Sequence, residues 1–327
     1  MLQIVRNNNP ITVIILFIYA LAINWQLLFH PVMPVLPPGD YFFHIIANFF
    51  RVLLFNSAFA LTLFAVILIA LQGIYINAVA NRHKLFAKPA YVVAFAYISL
   101  ASLYPPFVSF NQPLLVNWVL IMVIDIILQL AQTQKARKLI YNAGFGIGMA
   151  ALVMFPAIGY IIVFLFALSL LRNLNPGEWM VALLGCVTPV YFAAGLLFLF
   201  DGLHWLPQWI DVGINLPRTI AHPFYVICML LGTITLFILG TYDLQRHITK
   251  VSIFVRRGWT GIAACLFVSM LVALFTDFEV KAAWLVVMPA LALVITNAYY
   301  AEKNKAFSNF AFYFTLVLVI FCKMAGS

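Results

Sequence analysis

Nine apolar runs, at about 11–29, 54–76, 89–107, 114–132, 179–200, 222–242, 259–276, 281–300 and 306–322, succeed one another along this chain with hardly a charge inside them. A hydrocarbon layer about 30 Å thick is crossed by roughly twenty helical residues, so each run has the length of a membrane span. Of the 327 residues, 65% are hydrophobic and 8% charged, far fewer charges than the roughly 25% of a soluble domain. Lipid rather than water must solvate most of this surface. No polar stretch is long enough for a soluble domain. Residues 1–327 therefore read as a single integral membrane domain, an all-α polytopic bundle.

The stretch Ala143–Leu171 lies between the fourth and fifth runs and is too long for one comfortable helix. Pro156 and Gly159 stand at its centre, so it predicts a hairpin of two short helices over 143–171, which crosses fully or re-enters. With the hairpin the chain has about eleven segments, plus interfacial helices. The run from Ile11 to Phe29 exceeds a signal-peptide core and has no small-x-small exit, which predicts a retained helix.

Basic residues set the expected orientation. With the N-terminus in the cytoplasm, fourteen Lys and Arg fall in cytoplasmic connections, and only Arg51, Arg218, Lys281 and Lys323 fall outside. That bias is the positive-inside pattern, which puts the C-terminus outside. Trp118, Trp179, Trp259 and Trp284 stand at the starts of runs, where the indole favours the headgroup zone. The net charge of +9 arises from these short clusters and not from one basic face, so nucleic acid is not an expected partner. Membrane lipids are, and membrane-protein partners are compatible with the composition.

Two outer connections offer the chemistry. The first, 30–53, passes Pro31, Pro34, Pro37, Pro38 and Gly39 to Asp40, then enters an aromatic stretch with His44 that ends at Arg51. It predicts a helix lying in the interface. Asp40 is either a general base in an outward-facing site or the N-cap of that helix. The second, 201–221, carries His204, Trp205, Trp209, Asp211 and Arg218, with His222 immediately after. Arg offers a fork to phosphate, and Trp and His stack on sugar faces, so a polyprenyl-phosphate-linked sugar suits the loop. Interfacial Trp anchoring is the alternative.

Within the runs, Asp125 is the one carboxylate well inside a span, with Asn117 and Gln129 on the same helical face. A proton relay or ion site of a transporter would use it; a packing carboxyl held by local hydrogen bonds is the other reading. Cys186, Cys228, Cys265 and Cys322 are dispersed in apolar runs without metal-ligand spacing, so no metal is expected, and the sequence names no cofactor. Gly144, Gly146 and Gly148 fit close helix packing rather than a phosphate cradle. No nucleotide-binding loop or soluble-enzyme signature appears.

Arg172, Asn175, Glu178, Trp179, Gly185, Thr188 and Pro189 carry a resemblance. At these positions the chain resembles a family of uncharacterised bacterial polytopic inner-membrane proteins, marked by Arg, then Glu-Trp, then Gly and Thr-Pro in the next helix. A looser similarity is to GT-C type membrane glycosyltransferases, which share the span count, an acidic first outer loop with an interfacial helix, and a short Gly-rich hairpin before a basic turn. That similarity implies a glycosyltransferase-like role in envelope glycan or lipid-linked sugar assembly, with Asp40 as base. A transporter using Asp125 and a non-catalytic membrane scaffold are the alternatives.

Overall fold

The computed structural model describes residues 2–6, 9–34, 36, 41–130, 133, 136–172, 175–210, 212–213, 223–276, 280, 282–300 and 305–325. Among them the regular structure is entirely helical. The helices in chain order are α1 (Leu2–Arg6), α2 (Ile11–Ile23), α3 (Trp25–Phe29), α4 (Tyr41–Leu53), α5 (Ala58–Arg82), α6 (Val92–Ala101), α7 (Gln112–Leu130) and α8 (Arg137–Val153). There follow α9 (Tyr160–Leu171), α10 (Pro176–Leu199), α11 (Leu206–Trp209), α12 (Pro223–His247), α13 (Ile253–Leu274), α14 (Met288–Tyr299) and α15 (Lys305–Ala325). Six of them, α5, α7, α10, α12, α13 and α15, are long and apolar enough to cross a membrane. Several shorter apolar helices accompany them, and the chain is built as a multi-pass membrane protein.

Every residue of α6 and α14 is buried, which places these two short helices at the centre, with α5 and α7 against them. The periphery is apolar outward. Leu184, Tyr191, Phe192 and Leu199 of α10, and Ile227, Leu231 and Ile238 of α12, are all more than half exposed, the surface expected of helices solvated by lipid.

Prolines decide where the apolar runs stop being α-helix. The run 89–107 gives only the ten residues of α6, because Pro105 and Pro106 divert the chain into a 3-10 turn over Pro105–Val108. Tyr104 before them is extended, as a residue preceding proline must be. The run 281–300 is likewise a 3-10 turn, Ala283–Val287, feeding α14 with Pro289 in its first turn. The hairpin expected over 143–171 is present as α8 and α9 joined by a 3-10 turn, Phe155–Gly159, that contains Pro156. It begins six residues earlier than expected, at Arg137. α13 also starts early, at Ile253, because Arg256 and Arg257 are exposed and leave the helix uninterrupted.

Two ends of the bundle differ. Phe86 stacks on Tyr300 at 4.7 Å and meets Trp259 edge-on at 5.9 Å, and Tyr300 Oη donates to the Lys88 carbonyl at 2.9 Å. These contacts gather the end of α5, the start of α6, the first half of α13 and the end of α14 at one end, here the basic end. The opposite end carries α4 and the turn through α11, and it holds the groove described next.

Candidate functional site: an apolar groove between α4, α8 and α10

The groove exists because α8 and α10 touch along backbone. A Cβ on Gly144 would lie 2.2 Å from the Ala182 carbonyl oxygen, one on Gly148 2.2 Å from that of Cys186, and one on Gly185 2.5 Å from that of Tyr141. Since residues advance together on both helices, α8 and α10 run parallel. Only glycine permits an approach this close. Pro189 packs against Gly148, 3.0 Å from where a Cβ would sit, and forms the inner end of the groove.

From there the groove opens towards the α4 end, with a cavity volume of about 820 Å³. Phe145, Met149 and Leu152 of α8 form one wall, Phe192, Ala193 and Leu196 of α10 another. Tyr41, Phe42 and Ile45 of α4 supply the third. His204 and Trp205 stand at the mouth, where Trp205 stacks on Tyr41 with centroids 5.1 Å apart and planes at 21°. The lining is apolar apart from this rim, where the Tyr41 hydroxyl, the His204 imidazole and the Trp205 indole are its polar side-chain groups. Phe192, Leu196 and Ile45 are each more than half exposed, so the groove is open along its side, continuous with the lipid-facing surface of α10. Such a trough has the chemistry to take a hydrocarbon tail and leave a polar head at the aromatic rim.

α4 is attached to the rest through its own small cluster. Phe43 and Ala47 are buried against Phe110, with Phe50 and Phe64 packed alongside. The opposite face, Ile45, Phe49 and Val52, is exposed. Phe55 and Asn56, at φ 54° and 52°, then turn the chain into α5, whose N-cap Ser57 accepts from the Ala60 amide at 3.3 Å.

Of the residues singled out in the sequence, His204 and Trp205 are brought together with Tyr41. Trp209 is not at the rim: it is buried, donates from Nε1 to the Ala151 carbonyl at 2.8 Å, and meets Phe155 edge-on, which pins the loop to the end of α8. His44 and Arg51 are half-buried on α4 and do not line the groove. The Arg51 Nε is buried without a hydrogen-bond partner. Asp40, Asp211, Arg218 and His222 lie outside the described residues; Asp40 precedes Tyr41, a lining residue.

The polar residues of α7 fall into two separate groups. Asp125 accepts from Arg82 at 2.8 Å and is 2.7 Å from His83 Nε2, with Gln129 hydrogen-bonded to the same carboxylate. Its basic partners come from the end of α5, not from the centre of a neighbouring run, and lie at the basic end. Asn117 instead donates to the Leu285 carbonyl at 3.1 Å and to Tyr97 Oη at 3.2 Å. Tyr97 Oη donates to Gln72 Oε1 at 2.6 Å, and Gln72 Nε2 donates to the Leu114 carbonyl at 2.6 Å. This second chain of hydrogen bonds closes the seam between α5, α6 and α7, where in a dry interior unpaired amides are costly.

The Arg172 and Glu178 of the sequence pattern form a clamp at the basic end. Arg172 Nε is 3.0 Å from Glu178 Oε2, and its guanidinium also donates to the Thr133 carbonyl, tying the connection before α8 to the turn before α10. Asn175 caps that turn, accepting from the Gly177 amide at 3.0 Å. Among the described residues no three His, Cys, Asp or Glu side chains converge to hold a metal, and the four cysteines are free.

Nothing along the chain marks the groove walls. Their residues, among them Phe145, Phe192 and Leu196, are indistinguishable in sequence from any lipid-facing apolar residue. The Gly144-x-x-x-Gly148 spacing was the one available signal, since it marks where two helix backbones meet.

An all-helical, multi-pass membrane protein with a side-opening apolar groove is the class these features define. Within that class the chain belongs to DUF6427, a family of unknown function whose model matches residues 40–326. No curated protein and no solved structure matches it.

Proposed function

We propose that this protein holds a lipid-linked substrate in the α4–α8–α10 groove, tail inside and head at the Tyr41–Trp205 rim, and serves envelope glycan or lipid-linked sugar assembly at the outer face of a bacterial inner membrane. The observation that carries this reading is the groove itself: apolar along its length, open to the lipid-facing side, and edged at one end by stacked aromatics and His204. Aromatic faces suit sugar rings, and a polyprenyl phosphate supplies both tail and anion. Asp40, one residue before the lining Tyr41, is the carboxylate we assign as general base for transfer to a hydroxyl acceptor.

The reading includes eleven crossings. The segments Phe155–Leu171 and Ala283–Tyr299, at 17 residues each, reach about 25 Å, and the short α6 with its 3-10 extension is tolerable because protein surrounds it. Asp125 is assigned a packing role, because its charge is met by Arg82 and His83.

Mass spectrometry of lipids that co-purify with the protein tests the proposal. A polyprenyl phosphate or its glycosylated form, enriched over bulk membrane and less enriched with an Ala193→Trp variant, is the expected result. Enrichment of ordinary phospholipid alone would overturn the sugar assignment. Asp40→Asn should keep the bound lipid and lose turnover; loss of lipid instead would make Asp40 a binding residue. Labelling of a cysteine introduced near Arg256 from outside whole cells would invert the topology.

A further inference from the structure

The groove has a length as well as a chemistry. On α10 its lining runs from Pro189 to Phe200, the residue that caps the helix, eleven residues further on, which corresponds to about 16 Å of rise. On the facing wall, Phe145 to Leu152 covers about 10 Å. Half of a 30 Å hydrocarbon layer is about 15 Å, so the groove is one leaflet deep. It stops there for a physical reason. Gly148 lets Pro189 sit directly against α8, and beyond that contact the two helices are in backbone contact with no space between them.

We infer that the groove recognises only the head-proximal part of a lipid tail, three to four prenyl units, whatever the full length of the chain. An extended main chain advances roughly 1.2 Å per bond, as in the 3.3–3.6 Å of a three-bond residue. A four-bond prenyl unit therefore spans about 4.7 Å, and about 16 Å of groove holds between three and four units. The remainder of a long tail leaves through the open side, between Ile45 of α4 and Phe192 and Leu196 of α10, whose exposed faces merge with the lipid-facing surface. The same opening admits the lipid sideways from its leaflet, so the head never leaves the interface during loading. This inference rests on the lipid-binding reading above and adds to it the portion of the ligand that is read.

Binding of a prenyl phosphate series with two, three, four and eleven units to the full-length protein in nanodiscs tests it, beside an alkyl phosphate series of matching lengths. Comparing wild type with Ala193→Trp in the same lipid removes the effect of partitioning into the bilayer. Affinity is expected to rise by about threefold per unit while added carbons find wall contacts, then to stay level from four to eleven units. Ala193→Trp, which fills the middle of the groove, should move the plateau to the shorter members. A steady climb to eleven units, or equal affinity from two to four, would overturn the inference. A break in the alkyl series at the same length, with prenyl phosphates bound no better, would keep the length-limited groove and discard the sugar-carrier reading. Absence of length-dependent binding in both series would sink both.

Discussion

Asp125 shows how a carboxylate inside an apolar helix is made tolerable. An unpaired charge there costs at least about 2.5–3.5 kcal/mol, and the structure places two basic partners within 2.8 Å. The partners are unequal. The Arg82 side chain is 55% exposed and that of His83 only 6%, so solvent weakens the first contact far more than the second. Arg82→Gln should therefore cost less than about 1 kcal/mol. Asp125→Ala, which strands the buried imidazole, should cost about 1–3 kcal/mol. Thermal unfolding in detergent distinguishes the two; equal effects would show that Arg82 is the dominant partner. Asp125→Asn should leave activity intact at every pH, whereas a proton relay would lose it.

At the level of helices, the pairing of α8 with α10 decides whether the groove exists. Overpacking a tight contact costs about 1–3 kcal/mol, and Gly148→Ala inserts a carbon 2.2 Å from the Cys186 carbonyl oxygen, which is backbone and cannot swing away. We expect that substitution to lower thermal stability and reduce lipid retention together, because the helices must part at the inner end of the groove. Gly195, on the same helix α10, has nothing within 4 Å of its Cβ position. Gly195→Ala should be neutral or stabilising by up to about 1 kcal/mol. A melting curve of both variants beside wild type is the measurement, and indistinguishable curves would refute the backbone-contact account. Gly144 and Gly148 were legible as a packing pair from spacing alone; their partner helix was not, because Gly185 lies 37 residues beyond Gly148 and no short-range pattern links them.

Across the whole molecule, the first and last helical segments are fastened to each other at both ends. At the basic end Arg6 donates to the Tyr299 carbonyl and to Ser308. At the other end Lys323 Nζ donates to Asn24 Oδ1 at 2.8 Å, and Asn24 Nδ2 reaches Ser102 at 3.0 Å. A lysine near a helix end ordinarily extends its ammonium to the interface. Lys323 turns inward instead, where the C-terminal ends of α2, α6 and α15 meet and their carbonyl dipoles favour a cation. Lys323→Met should cost about 1–3 kcal/mol by orphaning the Asn24 oxygen, and adding Asn24→Leu should recover part of that loss. Unfolding of the single and double variants checks this; additive losses would mean that the two residues do not act as a pair.

The multi-pass helical class and the hairpin around Pro156 were legible along the chain, because each follows from local backbone chemistry or from the summed hydropathy of about twenty neighbours, whereas the runs 89–107 and 281–300 did not read as short helices, because their hydropathy continues through the prolines that end or delay the helix. Asp125 was visible as a problem in the same way, but its solution lies on a different helix, as do the Lys323–Asn24 bond, spanning 299 residues, and the three walls of the groove. Apolar side chains carry no directional label, so a residue that faces lipid, core or cavity reads alike along the chain. Only the packing of α4, α8 and α10, fixed by glycines that let two backbones touch, determined which of them face an empty space.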